Sequence, residues 1–316
     1  MIETRSARVD VHQHIWTTPL LDALARRERL PFVRQTDGLA VLHCAGEQAW
    51  AIDVESETAH RRAELADADG LDRVIVAPSS PIGIEALPRE EATELIDAHL
   101  AGIESLGSQF AAWGPVALDR PDPDDVDALL ARGCVGITIP AGALAGPDAL
   151  ADIEPLLDRA EALQATVFVH PGPAPGHRRP RESSLTEPLW WAALTDYVAQ
   201  TQAAWLTFAA LGRRHYPSLR ILFAILAGGA PLQAERLAAR GGPALDLHDP
   251  LTFYETSSYG PAAIEALARQ VGPEQLVYGS DRPVIEPHRT EWDATLQWGA
   301  ARLIEGTQTH ARAVAA

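Results

Sequence analysis

The chain has 316 residues, 47% of them apolar and 22% charged, with a formal net charge of −17. That length and composition suit one large α/β domain with a sizeable core, and the absence of any run of ~18 apolar residues argues against a membrane span. So acidic a surface repels phosphate backbones, which removes nucleic acid from the expected partners.

Short apolar runs recur along the chain, as strands covered on both faces should. They fall at residues 7–11 (ARVDV), 73–77 (RVIVA), 110–118 (FAAWGPVAL), 135–139 (VGITI), 166–170 (TVFVH), 220–226 (RILFAIL), 251–256 (LTFYET) and 276–279 (LVYG). Between them lie helical patterns at 54–68, 90–106, 123–131, 148–163, 231–239, 261–271 and 288–304, several starting near a proline, as first turns favour. Strands alternating with helices in this number predict a (β/α)₈ TIM barrel, residues 1–316 forming one domain. The rival, a doubly wound sheet, would normally carry a GxGxxG turn after the first strand, and none is present. Residues 31–52 break the alternation. Asp37-Gly38 between apolar runs predicts a small β-hairpin insert after strand one. Residues 171–187, rich in Pro, Gly and Arg, read as a loop over the end of strand five, and 190–215 as one or two helices. The N-terminus lacks an apolar signal region, so the expected compartment is the cytoplasm. Cys44 and Cys134 read as buried free thiols.

His12 and His14 flank one residue at the end of a strand, and residues i and i+2 of a strand share a face. They form a chelating pair for zinc or a similar ion. His170 ends another strand, and Asp281 follows the eighth in Tyr278-Gly279-Ser280-Asp281-Arg282-Pro283. Both stand at C-terminal strand ends, where barrel enzymes keep their chemistry. Strands one and eight are neighbours in a closed barrel, so Asp281 can face the histidine pair. Glu255 and Tyr254 end strand seven, and His177, Arg178 and Arg179 follow His170, so these side chains could touch a substrate. Arg61, Arg62 and Arg282 are the arginines considered for clamping a carboxylate. His43, His60, His99, His215, His248, His288 and His310 read as surface or packing residues. All 26 basic residues are arginine, so no lysine can form a Schiff base or, once carboxylated, bridge two metal ions.

With VDVHQH, VFVHPG, LAGGAP, FYETS and YGSDRP spread over residues 9–283, the chain resembles the amidohydrolase superfamily, specifically the amidohydrolase-2 group that includes aminocarboxymuconate-semialdehyde decarboxylase. The resemblance implies that His12, His14, His170 and Asp281 bind one divalent ion, most often zinc, and that the protein is a homodimer. The chain departs from the group's pattern at two places. Thr138 stands where binuclear members have lysine, which implies a mononuclear site. Leu226 stands where the group usually shows the histidine of HxGG after strand six.

Two reactions follow as expectations. The first is hydrolysis of an amide or peptide C–N bond by metal-activated water, with Asp281 as the catalytic proton carrier. An arginine-only, Ala-rich composition resembles that of high-GC actinomycete proteins, which often serve natural-product pathways, and bottromycin-type amidohydrolases of this superfamily remove a follower peptide. The substrate would then be a small molecule or a modified peptide, contacted by Glu255, Tyr254, His177 and Arg282. The second is non-oxidative decarboxylation of an aromatic or unsaturated acid, a reaction that the missing histidine would assist.

Overall fold

A computed structural model describes residues 7–176, 188, 190–287 and 289–314. In chain order its strands are β1 (Val9–Gln13), β2 (Phe32–Thr36), β3 (Leu39–His43), β4 (Trp50–Asp53), β5 (Arg73–Val76), β6 (Phe110–Ala112), β7 (Gly114–Pro115), β8 (Gly136–Pro140), β9 (Thr166–His170), β10 (Ile221–Phe223), β11 (Thr252–Glu255) and β12 (Leu276–Val277). The α-helices are α1 (Thr18–Ala25), α2 (Ala59–Ala68), α3 (Arg89–Glu104), α4 (Asp124–Ala131), α5 (Pro147–Asp152), α6 (Glu154–Ala162), α7 (Trp191–Leu194), α8 (Asp196–Thr207), α9 (Arg213–His215), α10 (Ala234–Ala239), α11 (Pro261–Val271) and α12 (Asp293–Val314).

The frame is a closed parallel barrel. β12-β11-β10-β9-β8-β7 form one run of paired strands and β1-β5-β6 another. β6 and β7 are a single barrel strand interrupted at Trp113, whose N–H donates to Val76 O at 2.9 Å while Val135 N–H donates to Ala112 O at 2.9 Å. The other seam closes where Val11 N–H donates to Tyr278 O at 3.1 Å and Gln13 pairs in parallel with Arg282. Eight strand positions therefore ring one interior. Inward side chains alternate with outward ones. Ile75, Trp113, Phe168, Leu222, Phe253 and Val277 fill the interior. Val74, Val76, Val167, Val169, Ile221 and Phe223 pack against the helices.

The insert is real and larger than a hairpin. β2, β3 and β4 form an antiparallel sheet, with Thr36 opposite Leu39 across the Asp37-Gly38 turn. Asp37 and Gly38 both have positive φ, as that turn requires. Helix α1 was not anticipated; its pattern, TPLLDALA, is one helix long and begins with proline at its first turn. The helix expected at 148–163 is broken at Ile153 into α5 and α6, with Pro155 in the first turn of α6. Strand six is shorter than expected. After Ala224 the backbone turns left-handed for five residues, from Ile225 at φ 46° to Gly229 at 75°. Helix α8 presses on this turn: Gln202 Nε2 donates to Gly228 O at 2.7 Å, and a Cβ on Gly228 would lie 2.7 Å from Val198 O. Among the described residues no helix is long and apolar enough to cross a membrane.

Candidate metal centre

β1 carries the histidine pair, and its register explains how. Val9 and Val11 both line the barrel interior. Strict alternation would then turn His12 outward. Instead β1 gains one residue against β5 between Asp10 and Gln13, a β-bulge that re-aims the strand. His12 consequently faces inward, edge-on to Phe168 with ring centroids 5.1 Å apart and to His14 at 4.9 Å. The bulge is clamped from behind. The buried Asp10 carboxylate accepts from His12 N–H at 3.1 Å, Ser280 N–H at 3.0 Å and Gln13 Nε2 at 2.7 Å. Asp10 thus ties the histidine strand to the segment bearing Asp281. Burial pushes its pKa up to about 6 against the pull of those hydrogen bonds.

Asp281 reaches the pair through the barrel seam. Its N–H donates to His12 O at 2.9 Å, and His14 N–H donates to Arg282 O at 2.8 Å. At φ 59° Asp281 adopts a left-handed conformation that aspartate tolerates. Asp281 Oδ1 then lies 3.0 Å from His14 Nε2 and 3.9 Å from His12 Nε2. Each histidine has its other nitrogen engaged: His14 Nδ1 with Ala77 O at 2.9 Å, and His12 Nδ1 with Glu255 Oε2 at 3.1 Å. Glu255 is itself held by Ser257 and by Ile225 N–H. An acceptor on each Nδ1 fixes the ring and leaves Nε2 as the free donor atom.

The expected residues divide accordingly. His12, His14 and Asp281 offer donor atoms that all lie within 4.8 Å of one another. His170 is not gathered into that cluster. It also faces inward and is 1% exposed, but its Nε2 sits 3.1 Å from Glu85 Oε1, and its Nδ1 contacts Pro171 O and Ser80 Oγ. Glu255 is buried and orients His12 instead of waiting for a substrate. Two substrate assignments need correction. Tyr254 follows the inward Phe253 and so faces outward, where its hydroxyl accepts from Trp205 Nε1 of α8 at 3.0 Å. Arg282 points to the helical layer, pairing with Asp69 at 3.0 Å and Glu286 at 3.2 Å. Arg62 is likewise structural: it donates to Gln13 Oε1 and His14 O and pairs with Glu57, while Arg61 pairs with Glu64 at the surface. His177, Arg178 and Arg179 lie outside the described residues. Leu226 packs in the outer core; Ile225 is the residue of that turn that abuts the interior cluster.

Sequence reasoning missed Glu85 and Asp10. Glu85 is a lone acid in an apolar run, Ile82-Gly83-Ile84-Glu85-Ala86-Leu87, just past a strand's C-terminal end. That position is the signal that could have found it.

The charges agree with the geometry. Burial opposes a charge on His12, but Glu255, then Asp281 and Asp10, outweigh it and push its pKa up to about 9. Burial holds His14 below the usual value against the pull of Asp281. Burial also works against the Asp281 carboxylate, yet the His14 hydrogen bond and the charges of His12, His14 and His170 keep its pKa low. A divalent ion fits this donor set. His12 Nε2 is buried with no hydrogen-bond partner and turned toward an anionic oxygen. Two imidazoles and a carboxylate are ordinary ligands of zinc and manganese.

No family model and no curated protein matches the chain. Solved structures do. An amidohydrolase II is similar at 17% identity with a TM-score of 0.70, covering 95% of this chain and 100% of that one. A 5-carboxyvanillate decarboxylase from Novosphingobium aromaticivorans, with bound manganese and a substituted benzoic acid, is similar at 15% identity and a TM-score of 0.67, covering 96% and 98%. A 2,6-dihydroxybenzoate decarboxylase from Rhizobium is similar at 17% identity and a TM-score of 0.64, covering 95% and 99%. In fold, the chain is a parallel α/β barrel similar to the barrels of these proteins.

Proposed function

We propose that the protein is a metal-dependent, non-oxidative decarboxylase of a small aromatic or unsaturated carboxylic acid. The observation that carries the reading is the buried donor set at the barrel mouth: His12 and His14 are 3% and 4% exposed, and the Asp281 side chain 15%. The reading also draws on the similar structures, two of which are decarboxylases of aromatic acids. It replaces amide hydrolysis, and follower-peptide removal with it, as the first choice.

The residues divide the work as follows. His12, His14 and Asp281 would hold the ion, with Glu255 and Ala77 O keeping both rings in place. The bound ion would supply a positive centre that fixes the substrate's oxygen donors and draws electron density from the ring. The C–C bond to the carboxylate breaks, CO₂ departs, and the electron pair left on the ring carbon takes up a proton. Leu226 cannot deliver it. Asp281, the carboxylate of the cluster, has a side chain 15% exposed and would take a proton from solvent and pass it to that carbon.

The test is a panel of hydroxybenzoates and unsaturated acids beside N-acyl amino acids and peptides, each with manganese- or zinc-loaded protein. CO₂ release without new amine is the expected result. Release of amine without CO₂ would replace this reading with the hydrolytic one. Asp281→Asn should lower the rate at least ~10²-fold.

A further inference from the structure

The end of the barrel opposite the metal centre carries a cleft of its own. It holds about 310 Å³ and lies where strands begin: Arg73 opens β5, Phe110 opens β6, and Cys134 stands just before β8. Its apolar wall is Leu100 and Ile103 of α3 together with Phe110, all buried side chains of the outer core. Two guanidiniums line it, and they differ. Arg132 is already engaged: Nε donates to Glu104 Oε1 at 2.5 Å and Nη1 to Asp97 Oδ1 at 2.8 Å. Glu104, the acid of that lining, is thereby neutralised. Arg73 has no ion pair among the described residues, and its Nε is buried without a hydrogen-bond partner. Burial pulls the Arg73 pKa below the ordinary value with no carboxylate to oppose it. A half-buried cation left without a counter-charge costs free energy that a bound anion would recover.

We propose that this cleft is a second binding site, taking a small organic carboxylate with its anionic end on the Arg73 guanidinium and its apolar body against Leu100, Ile103 and Phe110. The site is separate from the metal centre and does not rest on the decarboxylase reading. Its volume stands at the lower end of small-molecule pockets, which run from about 300 to 1,000 Å³. A single ring or a short alkyl chain suits that space. The planar guanidinium matches a carboxylate through two parallel N–H···O bonds. Inorganic phosphate would meet the same charge but leave the apolar wall in water. A chain of net charge −17 has no general attraction for anions, so binding must come from this local pairing.

The test is calorimetry and ligand-observed NMR on chelator-stripped protein, which takes a bound ion out of the measurement. The probes are benzoate, hexanoate, benzyl alcohol and inorganic phosphate. The proteins are the wild type, Arg73→Gln, Asp281→Asn and Ser108→Trp, the last filling the cleft from its exposed edge; circular dichroism shows that each is folded. The wild type and Asp281→Asn should bind one benzoate or hexanoate per chain. Arg73→Gln and Ser108→Trp should each weaken that binding at least ~10-fold, and benzyl alcohol and phosphate should bind the wild type at least ~10-fold more weakly than benzoate. Carboxylate binding that survives Arg73→Gln, or that is lost in Asp281→Asn instead, puts the ligand elsewhere and overturns the inference. So does a wild type that binds neither carboxylate. Phosphate binding as tight as that of benzoate overturns the assignment of an apolar body. None of these results bears on the decarboxylase reading, which turnover by metal-loaded protein decides.

Discussion

At the residue scale, each inward histidine is gripped at Nδ1 and aimed with Nε2. The pair at residues 12 and 14 was legible in the sequence because two positions on a strand share a face, and His170 and Asp281 because both follow apolar runs. The partners were not, since Glu85 and His170 are 85 positions apart and meet only across the barrel mouth. The charge environment of His12 has a measurable consequence. Its ring keeps a proton up to about pH 9, and an incoming ion must displace it. Metal affinity should therefore rise about tenfold per pH unit between pH 6 and 8, with proton release. Calorimetry in two buffers of different ionisation enthalpy would measure that release, and Glu255→Gln should diminish it by letting the ring pKa fall. His99 gives a second pH prediction. It is buried on α3 with neither ring nitrogen hydrogen-bonded, and burial, aided by the charges of His14 and Arg132, pushes its pKa down from 6.5 to about 3. The unfolded chain takes a proton there at pH 6.5 while the folded one refuses it. The stability present above pH 6.5 is thus lost as pH falls toward 3, at up to ~1.4 kcal/mol per unit. His99→Leu should be near neutral at pH 7.5 and should flatten that acid slope. Urea unfolding of both proteins from pH 4.5 to 7.5 would show parallel curves if the idea is wrong.

At the scale of elements, two backbone irregularities decide what faces the site. The β1 bulge turns His12 inward although Val9 and Val11 already line the interior. The left-handed turn at residues 225–229 sends Leu226 into the outer core and ends strand six early. Neither follows from hydrophobic periodicity, because a bulge or a reversal of handedness changes which face a residue takes without changing its hydrophobicity. The turn holds three non-glycine residues at positive φ, each at about 1–2 kcal/mol, so packing by α8 must over-determine it. Gly228→Ala should break that packing. Its Cβ would enter the space of Val198 O at a φ of 61°, and we expect a loss of at least ~2 kcal/mol in chemical denaturation. A wild-type midpoint would show that α8 can retreat without loss.

At the scale of the whole molecule, barrel closure is what makes a site. The seam between residues 276–282 and β1 brings Asp281 beside His12 and His14 across about 270 positions of chain, and Asp10 fastens the same seam from behind. An ion bound there bridges the first and last strands, so it should stabilise the entire barrel. At a free concentration ~100-fold above Kd the gain is about 2.7 kcal/mol, or roughly 5 °C in Tm for a chain of this size. Thermal unfolding with manganese against excess chelator measures it, and equal Tm values would mean that no ion joins the strands. The sequence by itself determined the alternation of strands and helices, the insert after strand one, and the three histidines and the aspartate at strand ends. These rest on local periodicity, which any short window contains. Tertiary structure alone decided that Tyr254 and Arg282 serve the helical layer, that Glu255 orients His12, that Leu226 lies in the core, and that Glu85 stands against His170. Each depends on which face of a strand or turn meets which neighbour, and that is set by closure, register and one added residue in β1.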